Sequence, residues 1–141
     1  MARYSSELVV ASGLFNLALA LFHMSFWRLF QWPASLGTLG HVNRQVLYIL
    51  NMAITFLFIL AGGLLLAYST EVRTTELGRA LLWGLSLFWL ARAALQPIMF
   101  GLKRPLSMLL LLVFLLGAAL HGFSALSRSA IQQSVVAVRD R

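Results

Sequence analysis

The sequence predicts an all-α membrane protein in which four antiparallel transmembrane helices form a bundle. The chain has 141 residues, of which 60% are hydrophobic and only 11% are charged. A soluble domain is typically about 45–50% apolar and about 25% charged, so this composition indicates a membrane environment. Short polar stretches that contain glycine or proline divide the hydrophobic residues into separate segments, each long enough for one crossing.

The segment lengths define the predicted spans. A helix needs roughly 20 apolar residues to cross a hydrocarbon core about 30 Å thick. The candidate spans are residues 8–30, 46–68, 81–100 and 106–126. We therefore expect a single four-helix transmembrane domain over residues 1–141. The tail, residues 127–141, either extends the last helix, lies on the membrane surface or frays.

The basic residues give an expected orientation. Short loops make neighbouring helices antiparallel, so the two termini and the second loop share one side of the membrane. That side carries six Lys or Arg residues and the other side carries four: Arg3, Arg73, Arg79, Arg128, Arg139 and Arg141 against Arg28, Arg44, Lys103 and Arg104. By the positive-inside rule, we expect both termini in the cytoplasm of a multi-pass protein.

Charge and cysteine content exclude several classes of protein. The net charge is +7, but the basic residues stand singly or in pairs beside hydrophobic segments, where lipid phosphates are their expected partners. No basic run with interleaved aromatics exists, so nucleic acid is not an expected partner. The chain has no cysteine, which excludes disulfides, thiolate metal sites and thiol redox chemistry.

Small residues at helical spacing predict the packing faces of the spans. Close approach of small residues is a main source of helix association in lipid, because the tails are as apolar as leucine. Each predicted span carries such a set: Ala11, Ala18 and Ser25; Gly63 and Ala67; Ala80 and Gly84; Ala118, Gly122 and Ala125. Aromatic residues near the predicted helix ends form an expected interfacial belt: Trp27, Trp32, Tyr48 and Tyr68.

Polar side chains inside the spans are the candidate ligand-binding residues, because burying them in hydrocarbon is expensive. From the rise of about 1.5 Å per residue, His23, Asn51, Arg92 and Gln96 are expected in one layer that faces the first and third loops. Arg44 is expected just above this layer. Asn16 and His121 are predicted to form a second polar pair, nearer the opposite side.

Two interpretations of this layer stay open. The structural interpretation is that the layer only joins helices. Asn, Gln, Thr and His commonly join membrane helices through hydrogen bonds worth about 0.6–2 kcal/mol each, and the Arg92 guanidinium could extend to the membrane–water interface. The functional interpretation is a pocket for an anionic or hydrogen-bond-accepting molecule, such as a phospholipid headgroup, a quinone carbonyl or an isoprenoid phosphate.

The sequence argues against catalysis and bound metals. The four acidic residues, Glu7, Glu71, Glu76 and Asp140, lie at helix ends or in loops. No buried carboxylate is therefore available for proton coupling or for orienting a Ser–His nucleophile, and no catalytic residue is predicted. The histidines lie at different depths and form no metal site. No cofactor is predicted, although one histidine could hold a single haem or chlorophyll-type tetrapyrrole.

These observations favour a small, non-enzymatic integral membrane protein. The leading hypothesis is an accessory subunit or lipid-binding component of a larger membrane complex. Its expected partners are membrane lipids and either other membrane-protein subunits or further copies of this chain. The alternatives are a transporter or membrane enzyme that acts on an anionic lipid-like substrate and, third, a pigment carrier.

Overall fold

A computed structural model describes the backbone of residues 2–139 and the side chains of residues 6–127. The described chain is predominantly helical and contains no β-strand, which confirms the all-α class. Its helices are α1 (Ala2–Met24), α2 (Phe26–Leu29), α3 (Trp32–Ser35), α4 (His41–Ala67), α5 (Ser69–Thr74), α6 (Glu76–Phe100) and α7 (Pro105–Arg139).

Four of these helices are long and apolar enough to cross a membrane. Their qualifying stretches are Ser6–Met24, His41–Ala67, Glu76–Phe100 and Pro105–Ser127. At about 1.5 Å per residue, even the shortest extends about 28 Å, which is close to the thickness of the hydrocarbon core. By length and composition, the chain is a multi-pass membrane protein, as predicted.

The first span ends earlier than the sequence indicated. Helix α1 stops at Met24 rather than at residue 30, although the apolar run continues. At this end, the Ser25 N–H donates to the carbonyls of Leu21 and Phe22, and the Ser25 Oγ donates to the Phe22 carbonyl at 2.6 Å. This tightened last turn satisfies carbonyls at the helix end, and the chain turns into the single-turn helices α2 and α3.

The backbone of the tail, residues 127–139, distinguishes among the three alternatives given for it. Helix α7 continues without a break from Pro105 to Arg139, so the tail extends the last helix. Asp140 and Arg141 lie outside the described residues, as do the side chains of Arg3, Arg128 and Arg139. The cytoplasmic orientation of the termini depends on these basic residues and stays a prediction.

The described chain forms two compact units. The central unit is Gly13–Leu64, and the terminal unit combines Met1–Ser12 with Leu65–Arg141. In the central unit, α4 packs antiparallel to the part of α1 from residue 13 onward. A Cβ at Gly62 would lie 2.8 Å from the Gly13 carbonyl oxygen and 2.8 Å from Leu17, so only glycine permits this approach.

The terminal unit is organised around the α6–α7 hairpin. Its buried apolar cluster is Val9, Leu65, Val72, Leu82 and Ala125. Gly122 of α7 approaches Ser86 of α6, whose Oγ donates to the Ala118 carbonyl at 2.8 Å. Further along the hairpin, Trp89 stacks on Phe114 with 5.8 Å between ring centroids. These pairings run in opposite chain directions, so α6 and α7 are antiparallel.

Helix α6 begins with a side-chain cap. Thr75 has extended backbone geometry, and its Oγ1 accepts a hydrogen bond from the Gly78 N–H at 3.1 Å. A Cβ at Gly78 would collide with the Val72 backbone, so glycine is required where α5 meets α6. The cap places the start of this helix at Glu76, five residues before the predicted span.

The small-residue prediction holds for α7 but fails for α1, α4 and α6. On the face predicted for α1, Ala18 and Ser25 are exposed. Gly122 and Ala125 are buried, as predicted. Gly63 and Gly84, in contrast, are exposed, and a Cβ at either would meet nothing within 4 Å. On α4 the packing glycine is the neighbouring Gly62, because the helix is rotated by one residue relative to the predicted face.

The adjacent glycines of α4 provide a matched stability test. We expect Gly62→Ala to lower the free energy of unfolding by about 1–3 kcal/mol, because its methyl group would overlap the α1 backbone. Gly63→Ala should change it by less than about 0.5 kcal/mol. Thermal or denaturant unfolding of the purified protein in detergent measures both, and equal effects would contradict the helix rotation described here.

Candidate functional site

In the central unit, Asn51 of α4 binds His23 of α1 at two points. The Asn51 side-chain amide donates to the His23 carbonyl at 3.1 Å, and its Oδ1 lies 3.0 Å from His23 Nδ1. An amide oxygen can only accept, so His23 Nδ1 carries the proton in this arrangement. The bond to the carbonyl also satisfies an acceptor at the end of α1, so Asn51 caps this helix from outside.

Aromatic rings fix the His23 side chain from other directions. The imidazole stacks on Phe26 with a centroid distance of 4.4 Å and meets Phe58 edge-on at 5.3 Å. Thr55 donates to the Asn51 carbonyl at 2.7 Å, within α4. The predicted association of His23 with Asn51 is therefore present as a helix-joining pair that is packed among phenylalanines.

In the terminal unit, the central feature is Arg92. Its guanidinium carbon lies 4.4 Å from the centre of the Phe114 ring and 5.8 Å from that of Phe100. The side chain is half-buried, and no hydrogen bond or ion pair joins it to another described residue. Stacking on a ring leaves the N–H groups in the guanidinium plane available for an acceptor. Arg92 can therefore bind an anion while its planar face stays in contact with an aromatic ring.

One turn after Arg92, Gln96 closes the end of the α6–α7 hairpin. Its Nε2 donates to Ser107 Oγ at 3.0 Å, and Ser107 Oγ donates to the Gly101 carbonyl at 2.5 Å. Gly101 has φ +64°, a left-handed conformation that favours glycine. This chain of hydrogen bonds holds the turn between the two helices. Gln96 Oε1 is buried and has no hydrogen-bond partner among the described residues.

The second predicted pair, Asn16 and His121, falls in different units. Each side chain is completely buried within the described structure. His121 Nδ1 donates to the Gly117 carbonyl at 2.7 Å, within α7. In the terminal unit, Ser12 Oγ lies 3.3 Å from Ser124 Oγ. The pairing of Asn16 with His121 stays a prediction.

The structure thus brings the candidate residues together in two groups. His23 and Asn51 form a direct pair in the central unit, while Arg92 and Gln96 lie on one face of α6 in the terminal unit. Arg44 lies in the first turn of α4. The single layer proposed from depth alone stays a prediction. Ser107 and Phe114, which contact Gln96 and Arg92, were not anticipated, although Ser107 has a weak signal as a polar residue in the first turn of α7.

The surroundings of the histidines bear on metal and pigment binding. No group of three or more His, Asp or Glu residues in the described part of the chain could hold a metal ion. A tetrapyrrole on His121 would need open space beside the imidazole, but this side chain is fully buried. Binding would therefore require the surrounding helices to separate, and the pigment hypothesis stays a prediction.

Fold and geometry together define an all-α, multi-pass membrane protein in which one span carries an arginine without an ion pair among the described residues. No protein-family model matches the chain, and neither does any curated protein or solved structure. The function is therefore argued from the chemistry of these residues.

The His23–Asn51 pair predicts a measurable coupling. In a double-mutant cycle of His23→Ala and Asn51→Ala, we expect a coupling free energy of about 0.6–2 kcal/mol, the range for hydrogen bonds between membrane helices. The exposed Asn43 serves as a control, because no interhelical coupling to His23 is expected there. Nitrogen NMR of His23 should show a protonated Nδ1 in the parent, and a protonated Nε2 alone would refute the assigned geometry.

The hydrogen bonds of the α6–α7 hairpin predict that substitutions at Ser107 and Gln96 lower the free energy of unfolding by different amounts. Ser107→Ala removes the acceptor of Gln96 and the donor to Gly101, so we expect a loss of about 1–3 kcal/mol in unfolding free energy. Gln96→Met keeps the volume and removes the buried unpartnered oxygen, so its cost should stay below about 1.5 kcal/mol. Unfolding measurements in detergent test this order, and a larger cost for Gln96→Met would contradict it.

Proposed function

We propose that this protein is a small, non-enzymatic membrane component that binds anionic lipid headgroups at Arg92 and works as an accessory subunit of a larger membrane assembly. One observation carries the proposal. Arg92 lies within an apolar helix, half-buried against Phe114, and has no ion pair among the described residues.

The cost of an unpaired charge favours a partner from outside the chain. An arginine inside a span is expensive unless it reaches water, a headgroup or a counter-ion. No acidic residue occurs between Glu76 and Asp140. The carboxylate of α6 is therefore at its first residue, about 24 Å along the helix axis from Arg92. Phospholipid phosphates are the most abundant anions at a membrane surface, and a guanidinium binds a phosphate through two parallel hydrogen bonds.

The position of Arg92 suits a headgroup better than a deeply inserted ligand. The residue lies eight positions before Phe100, the last residue of α6, or about 12 Å along the axis. Its long side chain extends to within 5.8 Å of the Phe100 ring, toward that end of the helix. Lys103 and Arg104 follow in the exposed turn and add positive charge at the same end.

The assembly part of the proposal rests on the outer surface. Exposed aliphatic and aromatic side chains cover the long helices and fit either lipid tails or other membrane helices. The described chain places little mass outside its spans. A role beside other membrane-protein subunits, or beside further copies of this chain, suits that composition, with both termini in the cytoplasm.

The alternative is a transporter or membrane enzyme that uses Arg92 to hold an anionic lipid-like substrate. It shares the same binding chemistry but adds a catalytic or transport step. Proton-coupled transport typically depends on a carboxylate deep within a span. Here Glu7 and Glu76 lie at the first or second residue of their spans, and Glu71 lies between two spans. The sequence therefore favours binding without turnover.

The binding proposal predicts a lipid-specific effect of Arg92→Met. In native mass spectrometry after mild detergent extraction, we expect this variant to retain at least about tenfold less bound anionic phospholipid than the parent, because a hydrogen-bonded ion pair contributes about 1.5–3 kcal/mol. Arg79→Gln is the matched control. It removes the same charge from the other end of α6, where Arg79 pairs with Glu76.

Equal retention by Arg92→Met and the parent would refute the lipid site, provided that both unfold at the same temperature. Equal losses from Arg92→Met and Arg79→Gln would show a general charge effect instead of a site. Net movement of an anionic lipid between leaflets by the reconstituted parent would favour the transporter.

A further inference from the structure

The connection between α1 and α4 carries a second arrangement of aromatic and basic side chains, separate from Arg92. We propose that this headgroup surface, defined as Trp27, Arg28, Trp32, Arg44 and Tyr48, binds the phosphates of the surrounding bilayer and so fixes the depth of the central unit. The partner is the lipid surface itself.

The backbone indicates that this connection leaves the hydrocarbon. After Met24, the regular hydrogen bonding of a long helix ends. It is followed by the single-turn helices α2 and α3 and by an irregular stretch up to Gly40. Backbone groups in such segments need water or headgroups, because lipid tails offer no hydrogen bonds. Gln31, between the two short helices, has φ +48°, a conformation that non-glycine residues rarely adopt. It reverses the chain so that Trp32 returns toward Trp27.

Three amphipathic aromatic rings meet at this reversal. The ring centroids lie 4.6 Å apart for Trp27 and Tyr48, 5.7 Å apart for Trp32 and Tyr48, and 6.5 Å apart for Trp27 and Trp32. Trp27 remains 49% exposed. Tryptophan and tyrosine prefer the headgroup level, where the ring contacts apolar chains and the N–H or O–H meets a polar group. The sequence placed these residues at helix ends, and the structure gathers them into one surface.

The charge of the surface fits phosphate. Arg28 follows Trp27 directly, and Arg44 precedes Tyr48 by one helical turn. The central unit contains no aspartate or glutamate at all. Neither arginine forms an ion pair or a side-chain hydrogen bond with another described residue. A cation near an anionic membrane surface contributes about 1 kcal/mol, so two arginines beside an aromatic anchor favour one depth.

Dipolar NMR between arginine carbons and lipid phosphorus tests the contact directly. The probe is the full chain with ¹³C-labelled arginine, reconstituted into vesicles of phosphatidylglycerol and phosphatidylcholine. We expect the Arg28→Gln/Arg44→Gln variant to lose a measurable part of the phosphorus-dependent dephasing of the guanidinium carbons. Arg73→Gln/Arg79→Gln is the matched control, because Arg73 bonds to the Ser69 carbonyl and Arg79 pairs with Glu76. Its loss should be clearly smaller.

Equal losses from the two double variants, or no dephasing in the parent, would overturn the proposal. Arg92→Met separates this surface from the lipid site, since it should leave the Arg28 and Arg44 signals in place. A spin label at Leu29→Cys provides a second measurement, which reports membrane depth even where the arginine–phosphate contacts are too weak to detect by dipolar NMR. The label at residue 29 should lie at the depth of the phosphates, whereas a label at Met52→Cys should lie at the depth of the hydrocarbon. A label at residue 29 found at hydrocarbon depth would also refute the proposal.

Discussion

Hydrocarbon provides no hydrogen-bond partner, so each polar group in a membrane-spanning helix must be satisfied by the protein or by a lipid headgroup. Most polar side chains described here obey this constraint within the chain. The Asn51 side chain hydrogen-bonds with both the ring and the carbonyl of His23, and Ser107 connects Gln96 to the Gly101 carbonyl. Gln96 Oε1 lacks a partner among the described residues. Arg92 is the charged exception, because an aromatic ring supports its face while its donors find no acceptor among the described residues. The proposed lipid-binding function follows from this exception.

The two units use the same physical devices in different proportions. In the central unit, a glycine allows close helix approach and an asparagine caps the neighbouring helix. In the terminal unit, Gly122 packs beside Ser86, and Trp89 stacks on Phe114, the ring that Arg92 contacts. Each unit also carries arginine beside aromatic residues, with Arg92 over Phe114 in the terminal unit and Arg28 next to Trp27 in the central unit. This combination is suited to phosphate-bearing lipids. Lipid recognition at both places would make the protein a component that depends on its bilayer as well as on its own packing.

Hydrophobic segment length sufficed to predict the fold class and the existence of four spans, because bilayer thickness sets the helix length directly. It also led to His23 and Asn51, whose depths agreed. It could not predict the early end of α1, since the apolar run continues past Ser25 and the hydrogen bonds at the helix end, including that from Asn51, are not visible in the sequence. Nor could it choose between Gly62 and Gly63, because adjacent glycines look alike until the rotation of α4 is known. Phe114 was missed since an aromatic residue in an apolar helix carries no sign that it supports a cation.

The central claim is that each of the four long helices crosses the membrane, and its most direct test is the side on which each connection emerges. The natural absence of cysteine allows single cysteines at Thr38, Thr74 and Leu102 to be labelled in sealed vesicles with a membrane-impermeant maleimide. Four crossings predict that positions 38 and 102 react from one side and position 74 from the other. Labelling of all three positions from the same side would contradict the account.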